Sequence, residues 1–258
     1  MTGRYVAIGS SMAAGPGIRP RASGAPFRAG RSARNYAHLL AEKLGLDLVD
    51  VTYSGATTAH VLADTQNGAP PQVSALDGSE SLVTITIGGN DVGYLPLLTA
   101  ACLPAPTRLV PVLGARLREL LDRNARDRAL DHVADSLREV GRVVRQRAPR
   151  ARVVFVDYLT LLPPAGQKAL PLPLSHADAD LGRHVATRLE LLTAEAAADT
   201  GCGVVKAGEA SGDHHAWSAD PWTTKFGLPL PGRPAPLHPN AAGMRAVARL
   251  AAAEVAKL

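Results

Sequence analysis

Short apolar runs alternate with longer amphipathic stretches along most of the chain. Short runs rich in β-branched residues are typical of buried strands, and five occur, at 5–8, 48–51, 82–87, 153–156 and, more weakly, 203–205. Between them, apolar residues recur every three or four positions, which predicts helices with one buried face. These helical stripes lie within residues 36–44, 130–144, 181–192 and 244–255. The chain is therefore predicted to alternate strands and helices.

Such alternation predicts a parallel sheet with helices on both faces. We expect an α/β fold, a three-layer α/β/α sandwich whose five-stranded parallel sheet has the flavodoxin-like order 2-1-3-4-5, formed by residues 1–258 as one domain. Ligands bind where the strand order of such sheets reverses, here between the first and third strands. The loops after Ile8 and Ile87 should frame a site, and two long irregular segments, 15–32 and 206–235, should wall it.

Composition narrows the class of protein. Of 258 residues, 46% are hydrophobic, which favours a folded chain. The net charge is +5, but aromatic residues make up only 4% and the arginines are scattered, so we expect no nucleic-acid partner. No apolar run approaches the roughly 18 residues of a membrane helix, so no stable membrane insertion is expected. Residues 1–4 lack the features of a secretory signal, which favours a cytoplasmic protein unless a signal has been removed. We expect a monomer.

Cysteine and histidine usage gives no sign of a disulfide framework or a metal site. Cys102 and Cys202 lie in no C-x-x-C pattern and are interpreted as buried thiols, although a bridge between them stays open. The adjacent His214 and His215 have no further ligands at metal-binding spacing. No metal or organic cofactor is expected.

Polar residues follow the predicted strands at places where chemistry is possible. Ser10 and Ser11 follow the first strand at a predicted helix start, where a serine is either a helix cap or a nucleophile among free backbone N–H groups. Gly55 follows the second strand and Asn90 the third, and each alone is also compatible with an ordinary turn. His238 directly precedes the last amphipathic helix.

Together these residues fit the chemistry of acyl transfer. The carboxyl ends of parallel strands share one edge of a sheet, so Ser11, Gly55 and Asn90 should lie near one another. A serine nucleophile needs a base and hydrogen-bond donors for the developing oxyanion. His238 would supply the base, while the N–H groups of Ser11 and Gly55 and the Asn90 amide would supply the donors.

The same segments resemble the conserved blocks of the SGNH, or GDSL, hydrolase family. Ser11, Gly55, Asn90 and His238 stand where that family has its S, G, N and H, and the resemblance runs from about residue 4 to the C-terminus. It implies a serine esterase that acts on small-molecule carboxylic esters, short-acyl or lipid-like. The most specific segments of the resemblance are residues 88–91 and 238–243. Residues 31–32 and 218–222 look similar to actinobacterial lipases and phospholipases within the family.

Two positions depart from the family pattern. The family usually has aspartate before the nucleophile, where this chain has Ser10; the nucleophile should still be Ser11, two residues after the glycine. The family also has aspartate three residues before the histidine, where this chain has Ala235. We therefore expect a Ser-His dyad in which the Ala235 backbone carbonyl orients His238, with the Asp220 carboxylate as the alternative.

The cysteines of secreted relatives are also missing. Such proteins usually have cysteines before Arg-Ser, before Ser-Gly-Ala and before Ser-Ala-Asp-Pro-Trp, and the nearby positions here are Ala29 or Gly30, Tyr53 and Trp217. Loss of these cysteines in pairs favours a reducing compartment.

Other functions fit the sequence less well. An α/β-hydrolase needs Gly-x-Ser-x-Gly, and the chain has Ala13 at the last position. A dinucleotide-binding domain needs Gly-x-Gly-x-x-Gly, and Pro20 replaces the last glycine. An acyltransferase, a thioesterase, a deacetylase and a non-catalytic ester or lipid binder stay open, because they would use the same site.

Overall fold

Five parallel strands run side by side in the order β2-β1-β3-β4-β5. The structure is a computed structural model that describes residues 3–167, 172–230 and 232–257. Its sheet confirms the predicted strand order and the α/β class. The strands are β1 (Arg4–Gly9), β2 (Asp47–Asp50), β3 (Glu80–Thr86), β4 (Arg152–Val156) and β5 (Gly203–Val205).

Helices cover both faces of this sheet, as the predicted three-layer arrangement requires. Helices α2 and α9 pack together on one face, while α3, α4, α6 and α7 contribute to the core on the other. The helices are α1 (Ser11–Ala14), α2 (Tyr36–Leu44), α3 (Thr58–Leu62), α4 (Tyr94–Cys102), α5 (Leu113–Leu120), α6 (Arg123–Arg147), α7 (His176–Asp199), α8 (Ala207–Ala210) and α9 (Ala241–Val255). The four predicted helical stripes correspond to parts of α2, α6, α7 and α9.

Successive side chains of each strand enter opposite cores. In β1, Val6 and Ile8 pack towards α6 and α7, whereas Tyr5 and Ala7 pack towards α2 and α9. A strand buried on both faces needs apolar side chains at every position, and this explains its uninterrupted apolar sequence.

Two long loops lie at the carboxyl edge of the sheet, close to where they were predicted. The first loop comprises residues 15–35, with one 3₁₀ turn inside it, and the second comprises residues 215–240. The second begins later than predicted because α8 and a 3₁₀ turn occupy its first part, and Pro231 within it lies outside the described residues. The loops touch: the Ala235 N–H donates to the Pro16 carbonyl at 2.9 Å.

Both cysteines are free thiols, as predicted, so no bridge joins them. Cys102 is buried, and burial raises the pKa of its thiol to about 11; Cys202 is half-buried. Within the described ranges, no helix has both the length and the apolarity needed to cross a bilayer, and no three His, Cys, Asp or Glu side chains cluster as metal ligands would.

Candidate active site

Ser11 and His238 meet at the carboxyl edge of the sheet although 227 positions separate them. Ser11 is the first residue of α1, directly after β1, and it is only 6% exposed. His238 lies at the end of the second loop, just before α9, and its Nε2 is 2.9 Å from Ser11 Oγ. This hydrogen bond joins a hydroxyl to a ring nitrogen able to accept its proton.

The carbonyl that holds the other side of the His238 ring belongs to Pro236 and not, as predicted, to Ala235. His238 Nδ1 is 2.7 Å from the Pro236 carbonyl oxygen. The Ala235 carbonyl accepts instead from the Thr224 hydroxyl at 2.7 Å and from the His238 backbone N–H at 3.3 Å. Leu237 has a φ of 58°, a left-handed conformation uncommon for leucine, and this turn brings the Pro236 carbonyl to the ring.

Asp220, the predicted alternative, serves a different histidine. Its carboxylate is 3.4 Å from His214 Nδ1, and the His214 ring stacks on Trp222 with the ring centroids 4.0 Å apart. The carbonyl partner of His238 Nδ1 makes a carboxylate unnecessary for holding the ring.

Burial lowers the pKa of His238 below its ordinary value, and the hydrogen bond to the Pro236 carbonyl opposes this effect only in part. Although part of the residue remains accessible, loss of hydration dominates because it disfavours the charged ring. The lowered pKa favours the neutral form of the imidazole at pH 7.

Two backbone N–H groups in the turns after β1 and β2 donate to no described residue, namely those of Ser11 and Gly55. Gly55 has a φ of 81°, which favours glycine. The Gln66 side-chain amide donates to the Ser54 carbonyl at 3.0 Å. Because the C=O and N–H of a trans peptide point in opposite directions, this bond also fixes where the Gly55 N–H points.

Asn90 lies in the turn after β3, and its side chain is hydrogen-bonded to the turn after β2. Its Nδ2 donates to the Ala56 carbonyl at 2.7 Å. The neighbouring Asp91 carboxylate accepts from the Thr58 hydroxyl at 2.6 Å and from the Thr58 backbone N–H at 3.0 Å. An amide nitrogen carries two protons, so the bond to Ala56 orients the group and leaves a second donor free.

Tyr158 links the turns after β1 and β3. Its hydroxyl accepts from the Gly89 N–H at 2.9 Å and lies 3.2 Å from Ser10 Oγ. Burial raises the pKa of Tyr158 to about 12, so the hydroxyl keeps its proton and can donate it to Ser10. Position 89 has no room for a side chain, since a Cβ there would come within 2.1 Å of the tyrosine ring.

Three of these supporting residues were missed by sequence reasoning. Tyr158 follows the end of β4 by two residues, and this strand-end position was an available signal. Gln66 lies in an irregular segment with no such signal. Pro236 sits beside the expected Ala235, and only the backbone dihedrals of the turn distinguish the two carbonyls.

Comparisons with known proteins agree with this architecture. The profile of the GDSL-like lipase/acylhydrolase family matches residues 7–246. The chain is 34% identical over 247 residues to Lipase 2 of Streptomyces coelicolor, covering 95% of this chain and 83% of that protein.

Solved structures give the same picture. The chain resembles phospholipase A1 from Streptomyces albidoflavus NA297, with a TM-score of 0.79, 26% identity and 98% of each chain covered. It also resembles the extracellular lipase of Streptomyces rimosus, with a TM-score of 0.80, 26% identity and coverage of 98% of this chain and 100% of that one. The family profile spans most of the chain and the Streptomyces coelicolor relative exceeds 30% identity, so this protein belongs to the GDSL-like lipase/acylhydrolase family and is an ester hydrolase of that family.

Proposed function

We propose that this protein is a serine esterase in which Ser11 is the nucleophile and His238 the general base. The observation that carries the proposal is the 2.9 Å contact between Ser11 Oγ and His238 Nε2, with the Pro236 carbonyl 2.7 Å from Nδ1. A proton on Nδ1, donated to that carbonyl, leaves Nε2 unprotonated and directed at the serine hydroxyl. This is the tautomer a general base requires.

Acylation begins when Ser11 Oγ attacks the ester carbonyl carbon while its proton moves to His238 Nε2. The new C–O bond yields a tetrahedral oxyanion. The oxyanion collapses, the bond to the alcohol breaks, and Nε2 returns the proton to the departing alcohol. Water then attacks the acyl-enzyme through the same base, releasing the acid and restoring the Ser11 hydroxyl.

Three donors would stabilise the oxyanion: the Ser11 N–H, the Gly55 N–H and the second proton of Asn90 Nδ2. In support, both backbone groups donate to no described residue, so neither has to break a bond to receive the oxyanion. The Gln66 contact orients the Gly55 N–H in advance, and the contact with the Ala56 carbonyl orients the Asn90 amide. Donors that need no reorganisation contribute most to transition-state stabilisation.

A backbone carbonyl in place of the family aspartate changes how the histidine works. The Pro236 carbonyl orients the ring by a neutral hydrogen bond and adds no full negative charge. It therefore stabilises the imidazolium less than a carboxylate would, and burial lowers the pKa of His238 further. We infer a base that acts at mildly acidic as well as neutral pH.

The substrates are proposed from the relatives. The similar proteins are named lipase and phospholipase A1, so lipid-like carboxylic esters are the substrate class we propose for this chain. Short-acyl esters should react by the same steps, because bond breaking involves only the carbonyl carbon and its two oxygens.

Hydrolysis of p-nitrophenyl butyrate tests the proposal. Ser11→Ala and His238→Ala should each lower turnover by about 10⁴ or more, as removal of a nucleophile or its base does in serine hydrolases. Ser10→Ala is the matched control, because it removes the adjacent hydroxyl and should keep most of the activity. Wild-type turnover in Ser11→Ala would refute the assignment, and loss confined to Ser10→Ala would move the nucleophile to that residue.

A further inference from the structure

The positive charge of this protein is concentrated on the two loops beside the Ser11–His238 pair. Loops 15–35 and 215–240 contain seven basic residues and one acidic residue, a net charge of +6. The rest of the chain carries 21 basic and 22 acidic residues, a net charge of −1. The overall charge of +5 is therefore a property of the loops.

Within the part of the chain that the structure describes, the cations of these loops form no salt bridge with a carboxylate. The six exposed ones form no salt bridge with any described residue, whereas several arginines of α6 and α7 are paired with carboxylates. The one acidic residue of the loops, Asp220, contacts His214. The exposed cations are Arg19, Arg21, Arg28, Arg34, Lys225 and Arg233.

The same loops expose large apolar side chains. Phe27 is 81% exposed, Leu228 is 84% exposed and Leu230 is 49% exposed. The Arg21 guanidinium lies over the Phe27 ring at 4.9 Å, so a cation and an aromatic side chain are presented together. Covering these exposed apolar side chains with an apolar phase would lower the free energy, because it removes them from water.

The two loops are in contact with each other and line a common groove. A groove of about 550 Å³ is lined by Arg19, Arg21 and Phe27 from the first loop and by Gly232 from the second. A side chain at position 232 would meet the Arg19 guanidinium at 2.8 Å, so the loops are in contact there. The first loop starts directly after α1, which begins with Ser11, and the second ends at α9 after His238.

We propose that loops 15–35 and 215–240 dock this protein onto an anionic lipid surface. The arginines would face the phosphate layer, and Phe27, Leu228 and Leu230 would enter the acyl boundary, as in proteins that lie on a bilayer without crossing it. Docking would place Ser11 at the ester bonds of the interface. This consequence rests on the proposed function, whereas the binding itself does not.

The apolar side chains distinguish a lipid surface from a nucleic acid. A phosphate backbone pairs with arginines but offers nothing that covers exposed leucines, whereas a bilayer accepts both groups at neighbouring depths. The interleaving of Arg21 with Phe27, and of Arg233 with Leu230, therefore favours the lipid.

Vesicle sedimentation tests the proposal. The Ser11→Ala protein, which leaves the lipid intact, is mixed with vesicles of phosphatidylcholine alone or with added phosphatidylglycerol. We expect binding to the anionic vesicles, weakened by high salt. R19Q/R21Q should lower the partition coefficient roughly 25-fold, at about fivefold for each cation. F27S/L228S should lower it at least about tenfold, the factor expected if each side chain is only about half buried in the lipid.

R150Q/R249Q is the matched control. It removes the same charge from exposed arginines outside the two loops, one of them at the opposite end of β4, and should leave binding unchanged. With Ser11 restored, F27S/L228S should hydrolyse soluble p-nitrophenyl acetate at the wild-type rate, which verifies that the variant is folded.

The docking surface would be overturned if the protein bound neutral and anionic vesicles equally, or bound neither. It would also be overturned if R150Q/R249Q lost as much vesicle binding as R19Q/R21Q. A third contrary result is tight binding to duplex DNA together with no effect of F27S/L228S on vesicle binding. The last would indicate a polyanion partner. Vesicle binding by a wild-type protein that hydrolyses no soluble ester would refute the proposed function and leave the docking surface standing.

Discussion

Replacing Tyr158 by phenylalanine tests how the turns that carry Ser11 and Asn90 are held together. The change deletes one hydroxyl and keeps the ring that packs against Gly89. It removes the acceptor of the Gly89 N–H at 2.9 Å and a partner of Ser10 Oγ at 3.2 Å. Both Ser10 and Gly89 are buried, so water cannot replace the hydroxyl without a change in packing.

The two bonds should contribute unequally. A buried N–H left without a partner costs about 1–3 kcal/mol, whereas a neutral side-chain hydrogen bond contributes about 0.5–1.5 kcal/mol net. The longer Ser10 contact should lie at the low end. We expect Tyr158→Phe to lower the free energy of unfolding by about 2 kcal/mol and Ser10→Ala by under about 1 kcal/mol. Turnover in Tyr158→Phe should fall roughly tenfold, because Gly89 directly precedes Asn90.

Urea denaturation and p-nitrophenyl butyrate kinetics on both single variants and the double variant form a double-mutant cycle. The coupling energy should be small, about 0.5 kcal/mol, because most of the Tyr158 effect comes from Gly89. Equal losses of stability in Ser10→Ala and Tyr158→Phe, with no further loss in the double variant, would contradict this expectation. The Ser10 bond would then be the dominant one.

Further predictions concern the site itself. Below neutrality kcat/KM should rise with pH, with a midpoint below the ordinary histidine pKa of about 6.5, because the buried His238 gives up its proton more readily. A midpoint above about 6.5 would contradict this. Asn90→Ala should lower kcat by about 10²–10³ with an unchanged circular dichroism spectrum, and a loss under threefold would remove it from the oxyanion site. Asp220→Asn should keep kcat within about twofold, since a large loss would make Asp220 the orienting group. Gln66→Met should lower kcat by up to about tenfold with KM unchanged, whereas a change in KM alone would assign Gln66 to substrate binding.

Several features were predictable because they depend on local sequence. The strands are buried on both faces, so each is apolar at successive positions, and the alternation of five strands with helices favoured the flavodoxin-like order that the sheet has. The carboxyl ends of β1 and β3 share one edge of the sheet, so Ser11 and Asn90 could be predicted to lie near one another before any contact was known.

Tertiary contacts decided the rest. Tyr158 and Gly89 are 69 positions apart, and Gln66 contacts Ser54 from an irregular segment. No periodic pattern in the sequence therefore predicts either contact. The scattered arginines of the two loops also became a surface only on folding, because these loops are nearly 200 positions apart and pack together through Pro16 and Ala235.

The sequence by itself determined the α/β architecture, because alternating strands and helices are patterns within segments, and it singled out Ser11 and His238 as candidates through their motifs and the family resemblance. Only the tertiary structure decided which carbonyl holds His238. Pro236 and Ala235 are adjacent and both have a carbonyl, and the left-handed φ of Leu237 directs one of them to the ring. That dihedral is stable because Leu237 is 2% exposed and anchored in the core, so burial against distant residues determined the local turn.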